Sequence, residues 1–370
     1  MFAIDGYLAV DITVNGQPAP IDMGNLMYLY MAENYLQTAA TVDMAVKDVT
    51  GNFNNVFFDG APITIAMGKL EVGPPLAKMP YRVVKKPNQP PVASGSGIRI
   101  LAGYDAFKYL RDVPRKGYRG TVYEVLQQLS SELGLNGVSG EQTNDSQVWL
   151  PGMKSYALFM RDLVSHSRVD DTSLMLHCLS GAGVIMFANI TKKLKDEAPV
   201  AIFSNHGKEG SIAIRDFTRI EDSGVYNLYK NYGAMEWSES LSGTPSDLLE
   251  VSVPKTAASL PVNSELYDGI QRVWTQFSAL DCGNVNDTYY KAAYQNARMA
   301  GLLSVGVDVL IDRYTSLDIF DVVEISLMKA ETQAIDKAMT QKYIIMGRTR
   351  AIQGTKYYEK LTCRAMGHGT

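Results

Sequence analysis

The order of helix and strand patterns in the last part of the chain limits most strongly what it can fold into. Residues 289–303 have helical spacing, 304–311 alternate as a strand, and 315–327 are typical of a Ser-Leu-Asp turn feeding a second strand. Two long strand patterns, at 343–350 and 357–365, predict a closing hairpin. This order offers several β-edges, and it holds no nucleophile-base pair, metal cluster or phosphate loop. We therefore predict a β-rich C-terminal block without catalytic chemistry.

The N-terminal residues have the two-residue periodicity of half-buried strands. Alternating apolar residues define strand patterns at 7–14, 41–47, 63–67, 81–84 and 98–101. Asn15-Gly16 and Asp59-Gly60 are turn signals between them. We therefore expect residues 1–112 to form one small antiparallel domain, a closed or nearly closed, tube-like β-barrel.

Residues 85–97 (KKPNQPPVASGSG) are rich in Pro, Gly and Ser and allow two interpretations. They are either a linker between domains or a long surface loop between two strands of the first barrel. We favour the loop, because strand-like sequence resumes directly at Ile98.

The middle of the chain changes to helical periodicity. Thr121 and Glu124 form a capping-box pattern, the apolar residues after them have helical spacing, and Gly134 ends the helix. A second helix at 156–164 carries a single apolar stripe. A hairpin behind it, with strands at 174–179 and 184–188, completes a small mixed α/β domain that we place at residues 113–205.

Short strand patterns return further on, at 201–204, 211–215 and 225–232. A weak helical signal follows at 273–280, before the stronger one near the C-terminus. The simplest division is a second β-barrel at 206–370, with an inserted loop and helical segment at about 241–303. The predicted fold class is mainly β with an α/β insertion: two small antiparallel β-barrel, tube-like domains joined by a mixed α/β domain.

The composition is that of a core-forming protein. The chain has 370 residues, 46% hydrophobic and 20% charged, which is enough for two or three cores. A net charge of −4 argues against a protein that neutralises nucleic-acid phosphates. Asp5 and Asp11 interrupt the apolar run that a secretory signal needs, and no apolar segment approaches the ~20 residues of a membrane span. We expect folding in the cytosol, no membrane insertion and no sequence-specific nucleic-acid binding.

The cysteines and two histidines are the first candidates for chemistry. Cys178, Cys282 and Cys363 are far apart and lack CxxC spacing, so we expect free, buried thiols rather than a disulfide framework or zinc site. His177 precedes Cys178, but adjacent strand side chains point to opposite faces and cannot form a thiolate-imidazole pair. His166 follows a predicted helix, where we expect it to cap the C-terminus.

The other candidates are dispersed. His206 and His368 lack the spacing that brings ligands to one metal. The acidic candidates are Asp170, Asp171, Asp308, Asp312, Asp318 and Asp321. Glycoside hydrolysis or metal binding would require them to converge, and solvated turn acids are the more ordinary interpretation. We predict no catalytic, cofactor-binding or metal-binding residue, no cofactor, and no enzymatic activity.

Two aromatic features leave alternatives open. The segment 225–232 (VYNLYKNY) has aromatic and polar residues on both faces, which fits a barrel strand and a subunit contact equally well. A glycan-binding module would need an exposed aromatic platform, whereas Trp149, Trp237 and Trp274 are scattered and suit ordinary core or interface positions. A glycan-binding module and a β-rich hydrolase that processes peptidoglycan or glycans remain the alternative functions.

Several segments, taken in order along the chain, carry a resemblance to a known family. They are TVDMAVKDVTG with DGAPITIAMG, then GYRGTVYEVLQQLSSELGL, VWLPGMKSYALFMRDLVSHSRV, VDVLIDRYTSLDIFDVVEI and YIIMGRTRAIQGTKYYEKLTCRAMG. This series resembles the baseplate hubs of contractile phage tails, the late control protein D family, which is related to the hub part of type VI secretion spike proteins. Where many relatives have Pro-Gly-Asp before the late strand, this chain has Ser316-Leu317-Asp318.

The resemblance implies a structural role in a virion. In that family three copies form a ring, and two similar barrels per chain give it pseudo-sixfold symmetry. Such a homotrimer joins the sixfold tail tube to the threefold central spike and leaves a channel for DNA, which suits a protein rich in β-edges. We expect a separate spike protein, contacts with tube and other baseplate proteins, and assembly in the cytoplasm of the bacterial host.

Overall fold

The computed structural model describes residues 1–4, 8–36, 39–48, 53–69, 77–85, 97–104, 111–170, 173–221, 235–238, 273–276, 296, 303, 305–329 and 331–366. The strands before the middle of the chain are β1 (Phe2–Ile4), β2 (Leu8–Val14), β3 (Gln17–Pro18), β4 (Leu26–Asn34), β5 (Thr41–Lys47), β6 (Pro62–Lys69), β7 (Ala77–Lys85), β8 (Gly97–Tyr104), β9 (Tyr118–Gly120), β10 (Val138–Ser139) and β11 (Gln147–Trp149). The later strands are β12 (Met175–Leu179), β13 (Ile185–Asn189), β14 (Ala201–Ser204), β15 (Ile212–Ala213), β16 (Asp216–Glu221), β17 (Met235–Ser238), β18 (Val273–Gln276), β19 (Val305–Ile311), β20 (Val322–Ser326), β21 (Gln341–Gln353) and β22 (Lys356–Ala365). The helices are α1 (Phe53–Val56), α2 (Val122–Leu133), α3 (Tyr156–Ser165) and α4 (Ile190–Asp196).

The mainly β prediction is confirmed, and fifteen strands form one sheet. Its main path runs β1-β2-β6-β7-β8-β5-β4-β21-β20-β14-β15, while β22, β19 and β16 continue from the other edge of β21. The N-terminal strands therefore join the C-terminal ones directly, through the antiparallel pair β4 and β21. Among the described strands the path does not close into a barrel.

The local turn signals of the N-terminal strands are confirmed. Asn15 and Gly16 both have positive φ, 53° and 75°, and they connect β2 to β3 as a two-residue hairpin loop. Ile63, Ile65 and Met67 on β6 are all buried, as the alternation predicts. Strand β7 pairs directly with β8, so the chain between them connects two neighbouring strands of one sheet rather than two domains.

The predicted capping box at the start of α2 is confirmed. The Thr121 hydroxyl accepts from the Glu124 N–H at 3.3 Å, and the Glu124 carboxylate accepts from the Thr121 N–H at 2.8 Å. Gly134 ends the helix with φ 68°, a left-handed conformation that glycine adopts without strain. Helix α3 buries the predicted stripe, which includes Phe159 and Leu163.

The hairpin of β12 and β13 lies between two hydrophobic cores. Met175, Leu179 and Phe187 pack into the first core, which holds the N-terminal strands together with α2 and α3. Leu174 and Cys178 pack into the second core, which holds the C-terminal strands. The middle of the chain is thus packed against both ends through one short element.

Several predicted elements differ from the structure. Residues 273–280 were expected to be helical, but Val273–Gln276 is strand β18, which pairs in parallel with β17. This prediction was wrong because a four-residue pattern carries no information about a distant partner strand. A turn and strand were expected at 315–327, and the strand observed there is Val322–Ser326. A strand was expected at 211–215, and only Ile212–Ala213 forms one, β15. Strand β4 and helix α4 were not predicted.

Two other predicted elements fall largely outside the described residues. The tyrosine-rich strand at 225–232 lies outside them entirely. Of the helix at 289–303, Asn296 is described as helical and Leu303 is not. In the part of the chain that the structure describes, no helix is both long and apolar enough to cross a bilayer.

Candidate functional site: a buried charge network between β4 and β21

Glu33 on β4 and Arg348 on β21 lie directly opposite each other where the N-terminal and C-terminal strands meet. The Oε2 atom of Glu33 accepts a hydrogen bond from Nε of Arg348 at 2.9 Å and a second one from Nη2. The two side chains are only 6% and 5% exposed. Paired hydrogen bonds between a guanidinium and a carboxylate fix both distance and orientation, so this contact sets the alignment of the two strands.

The second carboxylate oxygen of Glu33 binds the middle of the chain. Its Oε1 atom accepts from the N–H of Gly181 at 2.6 Å, and Gly181 lies in the turn between β12 and β13. A Cβ atom at this position would lie 2.9 Å from Oε1 and 3.2 Å from the Tyr81 hydroxyl. Glycine is therefore required here for close approach, and Glu33 connects the first, middle and last parts of the chain.

The electrostatics of the pair favour the ionised carboxylate. Burial alone would raise the pKa of Glu33, but the guanidinium groups of Arg348 and Arg350, with the Gly181 N–H, hold that pKa below its usual 4.5. Burial opposes the charge on Arg348 too, yet Glu33 and Glu359 raise its pKa above the ordinary value. Each charge is thus retained because its partner is present.

Arg348 also holds the turn that precedes β20. Its Nη1 atom donates to the carbonyl oxygen of Leu317 and lies 3.5 Å from a carboxylate oxygen of Asp318. The Asp318 N–H in turn donates to Asp321 at 2.8 Å. The Ser316-Leu317-Asp318 turn is therefore fixed by an arginine from the neighbouring strand.

A second buried pair, Arg350 and Glu359, lies opposite each other on β21 and β22. Glu359 is fully buried and accepts hydrogen bonds from the Thr315 N–H at 2.8 Å and from the Thr315 hydroxyl at 3.0 Å. Arg350 donates to the Thr315 carbonyl at 3.3 Å and lies 4.9 Å from the ring centre of Tyr314. The two ion pairs thus hold residues 314–318 in place: Arg348 contacts the end of this segment, and Arg350 and Glu359 contact its beginning.

The network is suited to holding strands in place rather than to chemistry. Removing one partner from a buried, hydrogen-bonded ion pair leaves an uncompensated charge, which is far costlier than losing a surface pair. Four buried charges therefore specify which strands meet and in which register. None of them is a nucleophile next to a base.

The predicted histidine and cysteine candidates lie in separate places. His166 caps α3 as predicted, with its N–H donating to the Asp162 carbonyl at 3.2 Å. His206 lies 3.0 Å from the Ser326 hydroxyl. Cys178 is a free, buried thiol, as predicted, and burial raises its pKa to about 12, while burial lowers the pKa of His177 to about 4. These shifts favour the neutral forms of both groups.

Of the remaining cysteine and histidine candidates, only Cys363 lies within the described residues. Cys363 is free and buried, and burial raises its pKa. Cys282 and His368 lie outside the described residues.

The predicted acidic residues have separate basic or backbone partners. Asp308 pairs with Lys360 at 2.7 Å, and Asp312 pairs with Arg215 at 3.0 Å. Asp170 is exposed in a turn, where its carbonyl accepts from the Ser173 hydroxyl. Asp171 falls outside the described residues. In the described ranges no three His, Cys, Asp or Glu side chains gather as metal ligands would.

The tryptophans have ordinary positions where they are described. Trp149 is buried, and its indole N–H donates to the Gly120 carbonyl at 2.9 Å. Trp237 and Trp274 lie on the paired strands β17 and β18.

Reasoning from the sequence missed the whole charge network. A usable signal was present, because Arg348, Arg350 and Glu359 occupy inward positions of alternating strands whose neighbours on that face are apolar, such as Ile352 and Leu361. A charge on the buried face of a strand requires an opposite charge. The alternation does not reveal where that partner lies in the sequence.

Several solved structures are similar to this chain over most of its length. The tail protein of Neisseria meningitidis MC58 is similar over 96% of both chains, with 11% identity and a TM-score of 0.59. A 43 kDa tail protein of prophage MuSo2 from Shewanella oneidensis is similar over 96% of this chain and 95% of its own, with 9% identity and a TM-score of 0.58. An Escherichia coli component of the type VI secretion system is similar over 95% of this chain and 76% of its own, with 10% identity and a TM-score of 0.48.

No protein-family model matches the sequence, and no curated protein matches it either. The structural likeness alone therefore defines the class: the chain has the fold of phage tail proteins. This bears out, at the level of fold, the resemblance to contractile-tail hubs that the order of sequence segments indicates.

Proposed function

We propose that the chain is the structural hub of a contractile phage tail baseplate, without enzymatic activity. Three copies form a pseudo-sixfold ring that joins the sixfold tail tube to the threefold central spike. The observation that carries this proposal is the shared fold over 96% of both this chain and the Neisseria meningitidis tail protein. Likeness over nearly the full length of both chains concerns the whole architecture rather than one common motif.

The strand arrangement supports two tube-like domains, residues 1–112 and 206–370, on either side of the α/β domain at 113–205. Strands β15 and β16 are separated by two residues and pair with β14 and β19, respectively. Only two residues therefore separate the two ends of this series of paired C-terminal strands, so the series comes close to closing. The antiparallel pair β4 and β21 joins these C-terminal strands to the N-terminal strands. In the proposed ring each chain contributes two similar units, and this pair would connect them.

The buried charge network supports a load-carrying rather than a catalytic role. Glu33 and Arg348 hold the two strand sets together, and Glu33 also binds the α/β domain at Gly181. A hub must keep its domains aligned while the tail contracts, and paired buried charges oppose sliding of one strand past another because slippage would separate them.

The partners in this proposal are the tail tube or its initiator on one face, the spike on the other, and further baseplate proteins around the ring. The hub resides in the virion and is assembled in the cytoplasm of the host. A net charge of −4 agrees with a channel that DNA passes without sequence-specific binding.

Light scattering on the purified chain tests the proposal. A trimer has a mass of about 122 kDa, three times the 40.7 kDa of one chain. The same sample in denaturant provides the single-chain reference. A mass of one chain at every concentration, with and without the spike protein, would contradict the proposed hub.

A further inference from the structure

The sequence contains two Asn-Gly pairs, and the structure places them in different surroundings. Asn15-Gly16 is the loop of the hairpin that joins β2 to β3, whereas Asn136-Gly137 lies between α2 and β10. In such a pair the backbone nitrogen of the glycine can approach the side-chain carbonyl carbon of the asparagine, because glycine has no side chain to block it. Whether the two groups meet depends on what else holds them.

The side chain of Asn15 is available for such an approach. Asn15 is exposed, and only its backbone N–H is held, by donating to the Pro62 carbonyl at 2.9 Å. Within the described residues its side chain makes no hydrogen bond. A Cβ atom built on Gly16 would have nothing within 4 Å, so the space next to the glycine is open to the side chain and to water.

The backbone nitrogen of Gly16 is available as well. Its N–H donates to no acceptor in the part of the chain that the structure describes. At the Asp59-Gly60 turn, by contrast, the Gly60 N–H donates to the Val83 carbonyl at 2.9 Å. A nitrogen held in this way must give up its hydrogen bond before it can lose its proton and attack, which adds to the barrier.

The second Asn-Gly pair is held although Asn136 is also exposed. The side-chain N–H of Asn136 donates to the Ala182 carbonyl at 2.6 Å, and its backbone N–H donates to the Gly183 carbonyl at 2.8 Å. The Gly137 carbonyl accepts from the Ile185 N–H at 3.0 Å. The same dipeptide is therefore fixed at one site and free to react at the other.

We propose that Asn15 is a site of spontaneous deamidation in the folded protein. The Gly16 nitrogen loses its proton to hydroxide and bonds to the side-chain carbonyl carbon of Asn15, and the side-chain nitrogen leaves as ammonia. Water then opens the five-membered imide at either carbonyl, which gives aspartate or isoaspartate. The two reacting groups belong to one turn, so no second molecule has to be positioned for ring closure. The inference goes beyond the hub role and does not depend on it.

The reaction changes both the charge and the backbone of the hairpin. Each converted chain gains a negative charge, and isoaspartate adds a carbon atom to the main chain of a two-residue loop. That loop sets the pairing of Val14 with Gln17 and the hydrogen bond from the Ala19 N–H to the Ile12 carbonyl at 2.8 Å. The isoaspartate form should therefore hold β3 less firmly against β2.

Peptide mapping by mass spectrometry tests the proposal on the full chain, incubated under native conditions at a series of pH values. We expect Asn15 to be converted at least about tenfold faster than Asn136, because only the first pair is free to close the ring. The rate at Asn15 should rise with pH, since the Gly16 nitrogen must lose its proton. In denaturant both asparagines should react at similar rates, because each is followed by glycine.

Asn15→Gln is the matched control, because glutamine would have to close a larger ring, and this variant should show no conversion at that position. Hydrogen exchange of the Ala19 N–H should be faster in the converted protein than in the unconverted protein. The proposal is overturned if Asn15 stays intact in the native protein while it reacts in denaturant, if Asn136 reacts equally fast in the native protein, or if the rate at Asn15 does not depend on pH. Unchanged exchange at Ala19 would contradict the loosening of β3.

Discussion

Glu33 and Arg348 are 315 positions apart in the chain, yet their side chains are joined by two hydrogen bonds inside the protein. The pair sits between the strand that begins the last hairpin and a strand from the N-terminal set. Glu33 also accepts a hydrogen bond from Gly181. Its side chain therefore connects three parts of the chain that the sequence presents as separate domains.

Breaking this pair from one side should be costlier than removing it whole. Glu33→Leu or Arg348→Met alone leaves an unpaired buried charge, and each should lower the free energy of unfolding by about 3–5 kcal/mol. The double variant should lose clearly less than the sum of the two, as measured by urea denaturation.

The half-exposed pair Asp43 and Arg99 is the matched control, with a contact of 2.6 Å between neighbouring strands. Its coupling energy should be below about 1 kcal/mol. Strict additivity of the Glu33 and Arg348 variants would contradict the role given to the network.

The same carboxylate predicts a pH dependence of stability. The pKa of Glu33 in the folded protein lies below its usual 4.5, so its contribution is fully present above that pH and is lost as the pH falls through the folded-state pKa. Glu33→Gln should therefore be strongly destabilised at neutral pH, and its difference from the unmodified protein should shrink below pH 4.5.

Unfolding curves at a series of pH values measure that difference. Glu209→Gln serves as the control, because Glu209 is exposed and its replacement should change stability by no more than about 0.5 kcal/mol at any pH. A Glu33→Gln difference that stays constant with pH would show that its charge contributes nothing.

Gly181 should not tolerate a side chain. The Cβ of Gly181→Ala would lie 2.9 Å from the Oε1 atom of Glu33 and would push the turn away from β4. We expect a loss of about 1–3 kcal/mol in the free energy of unfolding, typical of overpacking. Ala182→Ser, next to it on the exposed side of the same turn, should be nearly neutral in the same denaturation assay. Equal stability of the two variants would contradict the close approach.

Asn296 should anchor its segment to the α/β domain. Its side-chain N–H groups donate to the carbonyls of Ser165 and Ser167 at 3.0 and 2.8 Å, at the end of α3, and its Oδ1 accepts from the Met175 N–H at 3.0 Å. The Ser165 carbonyl is one of the acceptors that a helix end leaves without an internal partner, and the Ser167 carbonyl follows just beyond that end. Asn296→Ala should therefore cost about 1–3 kcal/mol.

Hydrogen exchange provides the local measurement for this variant. The Met175 N–H should exchange much faster in Asn296→Ala, whereas Asn136→Ala removes an exposed amide that donates to the Ala182 carbonyl and should leave that rate unchanged. Unaltered protection of Met175 in Asn296→Ala would mean that the contact does not hold.

Two thiols should resist alkylation in the native protein. Burial raises the pKa of Cys178 to about 12 and raises that of Cys363 as well, so neither forms appreciable thiolate at neutral pH. Peptide mapping after treatment with N-ethylmaleimide should find both unmodified, and both should react in denaturant. Rapid labelling of either under native conditions would contradict their burial.

The parts of the fold that the sequence predicts well are those set by local contacts. The capping box of Thr121 and Glu124 and the Asn15-Gly16 turn each depend on a few adjacent residues, so their patterns are visible without a structure. Pairing between distant strands is different, since β18 was taken for a helix and its partner β17 cannot be identified from its own four residues.

The candidate site was missed for the same reason. Strand β4 carries Tyr28 and Tyr30 on one face and Met31 with Glu33 on the other, so its alternation is weak, and the acid gives no hint that an arginine lies opposite. A buried charge is evident only once two strands are placed side by side. The order of weak segment resemblances nevertheless indicated the fold that the structural comparisons bear out.

The most direct test of the hub proposal is cryo-electron microscopy of the purified chain, with class averages collected before and after addition of the spike protein. The proposal predicts a threefold ring with an open central channel and quasi-sixfold features on one face. Compact single-chain particles with no ring in either sample would contradict it.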